Sequence, residues 1–203
     1  MVLLFQSADI IEWGGILIIA ILIFAETGLL LGLVVPGGET LVFTAGLLVS
    51  TGTLNISIIP LLIILIACSL AGDTLGFFIG RKLGHKLHHK KDTWYFKKKY
   101  LHLTEDFIKK HRKRSIIMGK FLPIIRPFMP FISGSTRIKP LVFLSLSLIA
   151  SVLYMSAFIL AGYFLGSQFP AIKKYLGWII PISIIVALIP VVQQLRKAKS
   201  EPS

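Results

Sequence analysis

Six ionisable side chains stand in or beside long apolar runs, and together they suit an anion site with proton exchange. Arg126 lies in K-F-L-P-I-I-R-P-F-M-P-F-I-S-G-S-T-R, ringed by Pro123, Pro127 and Pro130, with Lys120 before it and Arg137 after it. A guanidinium is planar and offers paired donors, so it can grip a phosphate or carboxylate through two parallel hydrogen bonds. Lys120 and Arg137 are expected to assist it as further cations. Glu26, Glu39 and Asp73 are three carboxylates in otherwise apolar surroundings. They are candidates for taking up and releasing protons, because burial and neighbouring charge both move a carboxylate's proton equilibrium. Simpler readings exist for two of them. Glu39 follows Pro36-Gly37-Gly38 and could sit in the first turn of a helix, where the dipole favours an acid. Asp73 stands near Arg81 and could merely pair with it. Glu26, about midway along its apolar run, has the least structural excuse. His85, His88 and His89 have spacings that could hold a metal, but lysines and arginines surround them. No nucleophile–base pair or metal set is visible, so neither an enzyme nor a cofactor is expected.

The elements that must position these residues belong to a membrane. The chain has 203 residues, 55% of them hydrophobic and only 15% charged, with mean hydropathy +0.81. That composition indicates a single polytopic membrane domain. The net charge of +13 is concentrated: residues 81–114 hold 13 lysines and arginines against three acids. Nucleic acid could attract such a block. In a chain this apolar, a cytoplasmic segment on anionic lipid headgroups explains it better, and no nucleic-acid partner is expected. Phe96, Tyr100, Leu103 and Phe107 form one stripe at helical spacing, with Trp94 and Tyr95 as anchors, which predicts an amphipathic helix lying on the membrane surface. The lone Cys68 excludes an internal disulfide. The N-terminus has no basic lead, so a cleaved signal peptide is not expected.

In chain order, residues 1–12 read as an interfacial lead-in, and 13–35 as an apolar run broken at Pro36-Gly37-Gly38. Apolar sequence resumes to 48, crosses a polar patch at 50–57, and continues from 58 to the basic segment. Residues 141–172 carry no charge at all, and 175–195 form a last span bent at Pro181 and Pro190. Positive charge places both 81–114 and the C-terminus in the cytoplasm. The two crossings between them then require 115–140 to enter and leave from one side. The halves also echo each other. Gly76-Phe77-Phe78-Ile79-Gly80 recurs 86 residues later as Gly162-Tyr163-Phe164-Leu165-Gly166, Gly46 recurs as Gly134 after 88, and Glu39 matches Arg126 after 87. The expected fold is therefore all-α. It has two inverted repeats (about 13–80 and 115–172), each a re-entrant helical hairpin followed by a transmembrane helix. A basic amphipathic helix and a C-terminal transmembrane helix complete it. Interrupted segments at matching places of inverted repeats point to a transporter site near the midplane. There Glu39 and Arg126 are expected to hold each other at rest and separate when phosphate binds.

The stretches F-A-E-T-G-L-L-L-G-L-V-V-P-G-G-E, G-D-T-L-G-F-F-I-G-R-K-L-G and G-K-F-L-P-I-I-R-P-F-M-P-F-I-S-G resemble the DedA family, also called the SNARE-associated Golgi protein family. The resemblance covers about 13–195. It implies paired re-entrant hairpins and movement of lipids across membranes, with recycling of undecaprenyl phosphate and phospholipid flipping among the activities assigned. It also implies dependence on proton motive force and roles for a glutamate at Glu26, an acid at Glu39, and two arginines in the second hairpin. The second arginine falls on Arg126, whereas Lys120 stands in place of the first and lacks the bidentate fork. The extra glycine also displaces Glu39 by one residue from the family's Pro-Gly-acid spacing. The leading expectation is a flippase for a phosphate-bearing lipid of the bacterial cytoplasmic membrane. The alternative is a proton-coupled small-ion transporter. Oligomeric state stays open, a homo-oligomer included.

Overall fold

The computed structural model describes residues 2–28, 38–89, 98–111, 113–136 and 138–169, with backbone alone at 2–13, 84–89 and 98. Among them all regular structure is helical: α1 (Val2–Gly28), α2 (Gly38–Ser50), α3 (Ile58–His89), α4 (Lys98–His111), α5 (Arg114–Lys120), α6 (Met129–Ser135) and α7 (Pro140–Gln168). The expected last span at 175–195, Arg137 and the anchors Trp94 and Tyr95 lie outside the described residues.

Two segments are long and apolar enough to cross a bilayer, Ile58–Leu83 and Pro140–Gln168, with mean hydropathy 2.3 and 2.2. At 1.5 Å per residue α7 extends about 44 Å, beyond a hydrocarbon core of about 30 Å. Exposed Ile59, Ile63, Phe78, Leu141, Leu153 and Phe164 give these two helices an apolar exterior. They run antiparallel, since Ser147 meets Asp73 while Ser151 meets Ser69. α7 starts on Pro140, whose fixed φ suits the first turn. Lys139 before it is extended, as a residue preceding proline tends to be.

The proline-rich stretch contains two helices of seven residues each, joined by turns. Each measures about 10 Å, far too short to cross a bilayer. Ile116 clusters with Phe77 and Phe143. From there Lys120 reaches Ser151 and Arg126 reaches Tyr154, and Gly134 lies back against Phe77. The turns keep their backbone bonded despite the prolines, with Arg126 N–H donating to Leu122 O at 2.8 Å and Met129 N–H to Ile125 O at 3.0 Å. Residues 121–124 of these turns are exposed and 125–128 are buried or half-buried, so the local bonds are what satisfy this backbone.

Glycines let the short helices press on the long ones. A Cβ on Gly46 would strike the Ile159 carbonyl, and one on Gly162 the Phe43 carbonyl. The same relation joins α6 to α3, with Gly134 against the Phe77 carbonyl and Gly80 against that of Phe131. Without a hydrophobic drive between helices, such backbone approach is what packs them in lipid. Phe43 and Gly46 correspond to Phe131 and Gly134 at the expected offset of 88. Phe77 and Gly80, however, correspond to Ile159 and Gly162 at 82, one helical turn less than the 86 read from sequence. The motif has glycines four apart, so it aligns equally well after sliding one turn.

Two boundaries differ from expectation. α1 begins at Val2 rather than after a lead-in, and it is described as far as Gly28, the rest of the 13–35 run lying outside the described residues. α3 continues past residue 80 to His89. The amphipathic helix α4 does not offer its apolar face to the membrane. Leu101 and Ile108 pack with Ile125, Phe128, Met129 and Ile132 of the proline-rich stretch, and Tyr100 and Phe107 flank them. Leu103 of the expected stripe is 47% exposed. The buried face is rotated by one residue, about 100°. That rotation buries Thr104, whose hydroxyl donates to Tyr100 O at 2.8 Å.

Candidate functional site

Five of the six singled-out residues meet between α1, α2, α3, α7 and the proline-rich stretch, and Arg137 lies outside the described residues. Arg126, whose side chain is 11% exposed, is the centre. Its Nη2 donates to Glu26 and its Nη1 to Glu39 Oε1 at 2.5 Å. Nη1 also donates to the Tyr154 hydroxyl, with the guanidinium carbon 5.3 Å from the tyrosine ring centre. Tyr154 is the middle residue of α7, so the guanidinium sits half-way along that apolar helix.

Glu26 lies on α1, two residues before Gly28. The backbone N–H of Gly38, which begins α2, donates to it. A Cβ on Gly38 would fall on the Glu26 carboxylate, so a larger residue there would have to displace it. Glu39 lies in the first turn of α2. It therefore has the helix-end position that the simpler reading foresaw, and it bonds Arg126 as well.

Asp73 pairs with Lys120 rather than Arg81. Lys120 Nζ donates to Asp73 Oδ2 and to Ser151 Oγ, the latter at 2.7 Å. Ser147 Oγ donates to the same Asp73 oxygen at 2.5 Å. The two charged side chains are only 5% and 8% exposed. Because α3 runs on without a break, Arg81 is two turns or about 12 Å beyond Asp73, and it is exposed.

Two small cavities adjoin these ion pairs, each with room for about one water molecule. Glu26, Tyr154 and Ser69 line one; Asp73, Phe143 and Ser147 line the other. Lys120 and Arg126 line both, forming the partition between them. A phosphate group fits in neither while the carboxylates hold the cations. No cluster of metal-ligating side chains occurs among the described residues, and the side chains of His85, His88 and His89 are not described.

Sequence reasoning missed Tyr154, Ser147 and Ser151. Their signal was present as three hydroxyls at i, i+4 and i+7 within a run read only as apolar.

The VTT domain model matches residues 35–164. Protein DedA of Escherichia coli strain K12 is 31% identical over 195 residues, covering 95% of this chain and 88% of its own. An uncharacterized membrane protein of Mycobacterium leprae, ML0287, is 35% identical over 189 residues, 89% of this chain and 83% of its own. The inner membrane protein YabI of Escherichia coli is 28% identical over 156 residues, 75% of this chain and 59% of its own. No solved structure matches.

Proposed function

This chain belongs to the DedA family of VTT-domain membrane proteins, and on that premise we propose that it moves a phosphate-bearing lipid across the bacterial cytoplasmic membrane. The observation that carries the reading is Arg126, a guanidinium at mid-helix depth held by carboxylates from two different helices. A buried arginine with tethered carboxylate partners is a latched anion site. Substrate phosphate takes the place of Glu26 and Glu39 on Arg126, and of Asp73 on Lys120. Undecaprenyl phosphate or a phospholipid supplies that chemistry, with its tail remaining in lipid.

Charge balance ties the step to protons. Among the described residues the cluster holds two cations and three carboxylates. An entering phosphate adds to the negative excess in a medium of low dielectric, where unbalanced charge is costly. Proton uptake by Glu26, Glu39 or Asp73 removes that excess and frees the cations, so protons and lipid move as one cycle. The two seven-residue helices and α2 are the arms of re-entrant hairpins in this reading, related as inverted repeats. Their shared glycine contacts with α7 and α3 support that relation. The basic end of α3 and the start of α7 face the cytoplasm.

The test is purified protein in liposomes under an imposed pH gradient. Labelled undecaprenyl phosphate and labelled phosphatidylethanolamine are compared for transbilayer movement, with ion flux recorded in parallel. Lipid movement that requires Arg126 supports the reading. Ion flux without lipid movement replaces it with the small-ion transporter.

A further inference from the structure

Ser147, Ser151 and Tyr154 share one face of α7, and all three are buried, at 2%, 0% and 4% exposure. A serine in an apolar helix ordinarily bonds its own backbone one turn back, as Ser145 on the outer face does to Leu141 O at 2.7 Å. The inner hydroxyls turn away to the charges instead. Ser147 serves Asp73, Ser151 serves Lys120, and Tyr154 serves Arg126. Every buried ion pair of the site therefore has an α7 hydroxyl as its neutral ligand. Phe121 and Phe158 hold the Tyr154 ring, with centroids 5.5 and 4.8 Å away, so the phenol is fixed in place.

We propose that this hydroxyl face is part of the binding site itself, a track along which the phosphate group passes between Lys120 and Arg126. The inference rests on the lipid-phosphate reading above. A hydroxyl both donates and accepts. Ser151 and Tyr154 accept from the cations in the closed state, and the same groups can donate to phosphate oxygens once phosphate lies between those cations. A carboxylate cannot make that exchange without first taking a proton. From Ser147 to Tyr154 the face extends about 10 Å, longer than one phosphate group. It therefore offers two stations, one at Lys120 and one at Arg126, matching the two cavities that these cations divide.

The test uses the full chain in liposomes containing a lipid phosphate monoester labelled on its tail, with initial rates measured against lipid mole fraction. Losing one hydrogen bond to a charged group should raise the half-saturating mole fraction about tenfold or more. Ser151→Ala and Tyr154→Phe are expected to show that rise with little change in maximal rate. Ser151→Thr, which keeps the hydroxyl, should restore the wild-type value, and Ser145→Ala should leave it unaltered. If Ser151→Ala and Tyr154→Phe lower thermal stability or maximal rate but leave half-saturation unchanged, the hydroxyls only brace the resting ion pairs and the track is wrong. Movement of the probe by the unaltered protein and not by Arg126→Ala shows that the lipid-phosphate reading survives such a failure. If the unaltered protein moves no probe, that reading falls and the track with it.

Discussion

At Arg126 one planar cation joins Glu26, Glu39 and Tyr154 from three different helices. Replacing it with alanine leaves the buried Glu26 and the half-buried Glu39 without their cation, and breaking a buried pair typically costs about 3–5 kcal/mol. Arg126→Ala should therefore lower the thermal unfolding temperature in detergent and abolish lipid movement. A neutral triple variant, Arg126→Leu with Glu26→Gln and Glu39→Gln, separates the two effects. It should regain stability and still move no lipid; recovery of transport would reduce Arg126 to a counter-ion for the acids. Arg126→Lys should transport far below wild type, because a point charge cannot reproduce the forked contact. The carboxylates give a second prediction. Glu26→Gln and Glu39→Gln should each insert and fold, yet lose the dependence of transport rate on pH. An unchanged pH profile in both would leave them as ligands of Arg126 alone. Residue identities at this centre were legible in sequence because a charge among prolines in an apolar run is conspicuous. The partnership of Asp73 with Lys120 was not, since the two are 47 residues apart and meet only through packing of α5 on α7 and α3.

At the scale of elements, the proline-rich stretch is held between two helices of different character. α3 receives α6 through Gly80 and Gly134, while α4 covers its other side with Leu101 and Ile108. The spacing 96, 100, 103, 107 foretold an amphipathic helix and missed its inner face by one residue. Periodicity locates an apolar stripe only to within about one residue's rotation, and in α4 a self-bonded threonine joins the buried side. The fold thereby makes a quantitative prediction. Leu101 is 1% exposed and Leu103 47%, so Leu101→Ala should cost about 2–5 kcal/mol. Leu103→Ala should stay within about 0.5 kcal/mol. Chemical or thermal unfolding in detergent measures both, and the reverse order would put the stripe read from sequence back against the core.

For the whole molecule, the proposed topology makes a prediction about which helix ends lie together. α3 and α7 are antiparallel, so the loop at 51–57 and the end of α7 share one end, and the basic stretch after Asp73 shares the other with Lys139. α5 starts at that basic end, where Ile116 meets Phe77 and Phe143, and α6 returns there, where Gly134 meets Phe77. Lys113 and Lys139 flank the excursion and are both exposed. In a background with Cys68→Ser, Lys113→Cys and Lys139→Cys should both react with a membrane-impermeant thiol reagent only from the cytoplasmic side. Thr53→Cys and Ser167→Cys, also exposed, should react only from the opposite side. The arrangement depends on the two short helices, because about 10 Å of helix cannot cross about 30 Å of hydrocarbon. Labelling of positions 113 and 139 from opposite faces would make the intervening stretch a true crossing. The proposed hairpin with Arg126 at its tip, and the proposed inverted relation of the two halves, would then both fail.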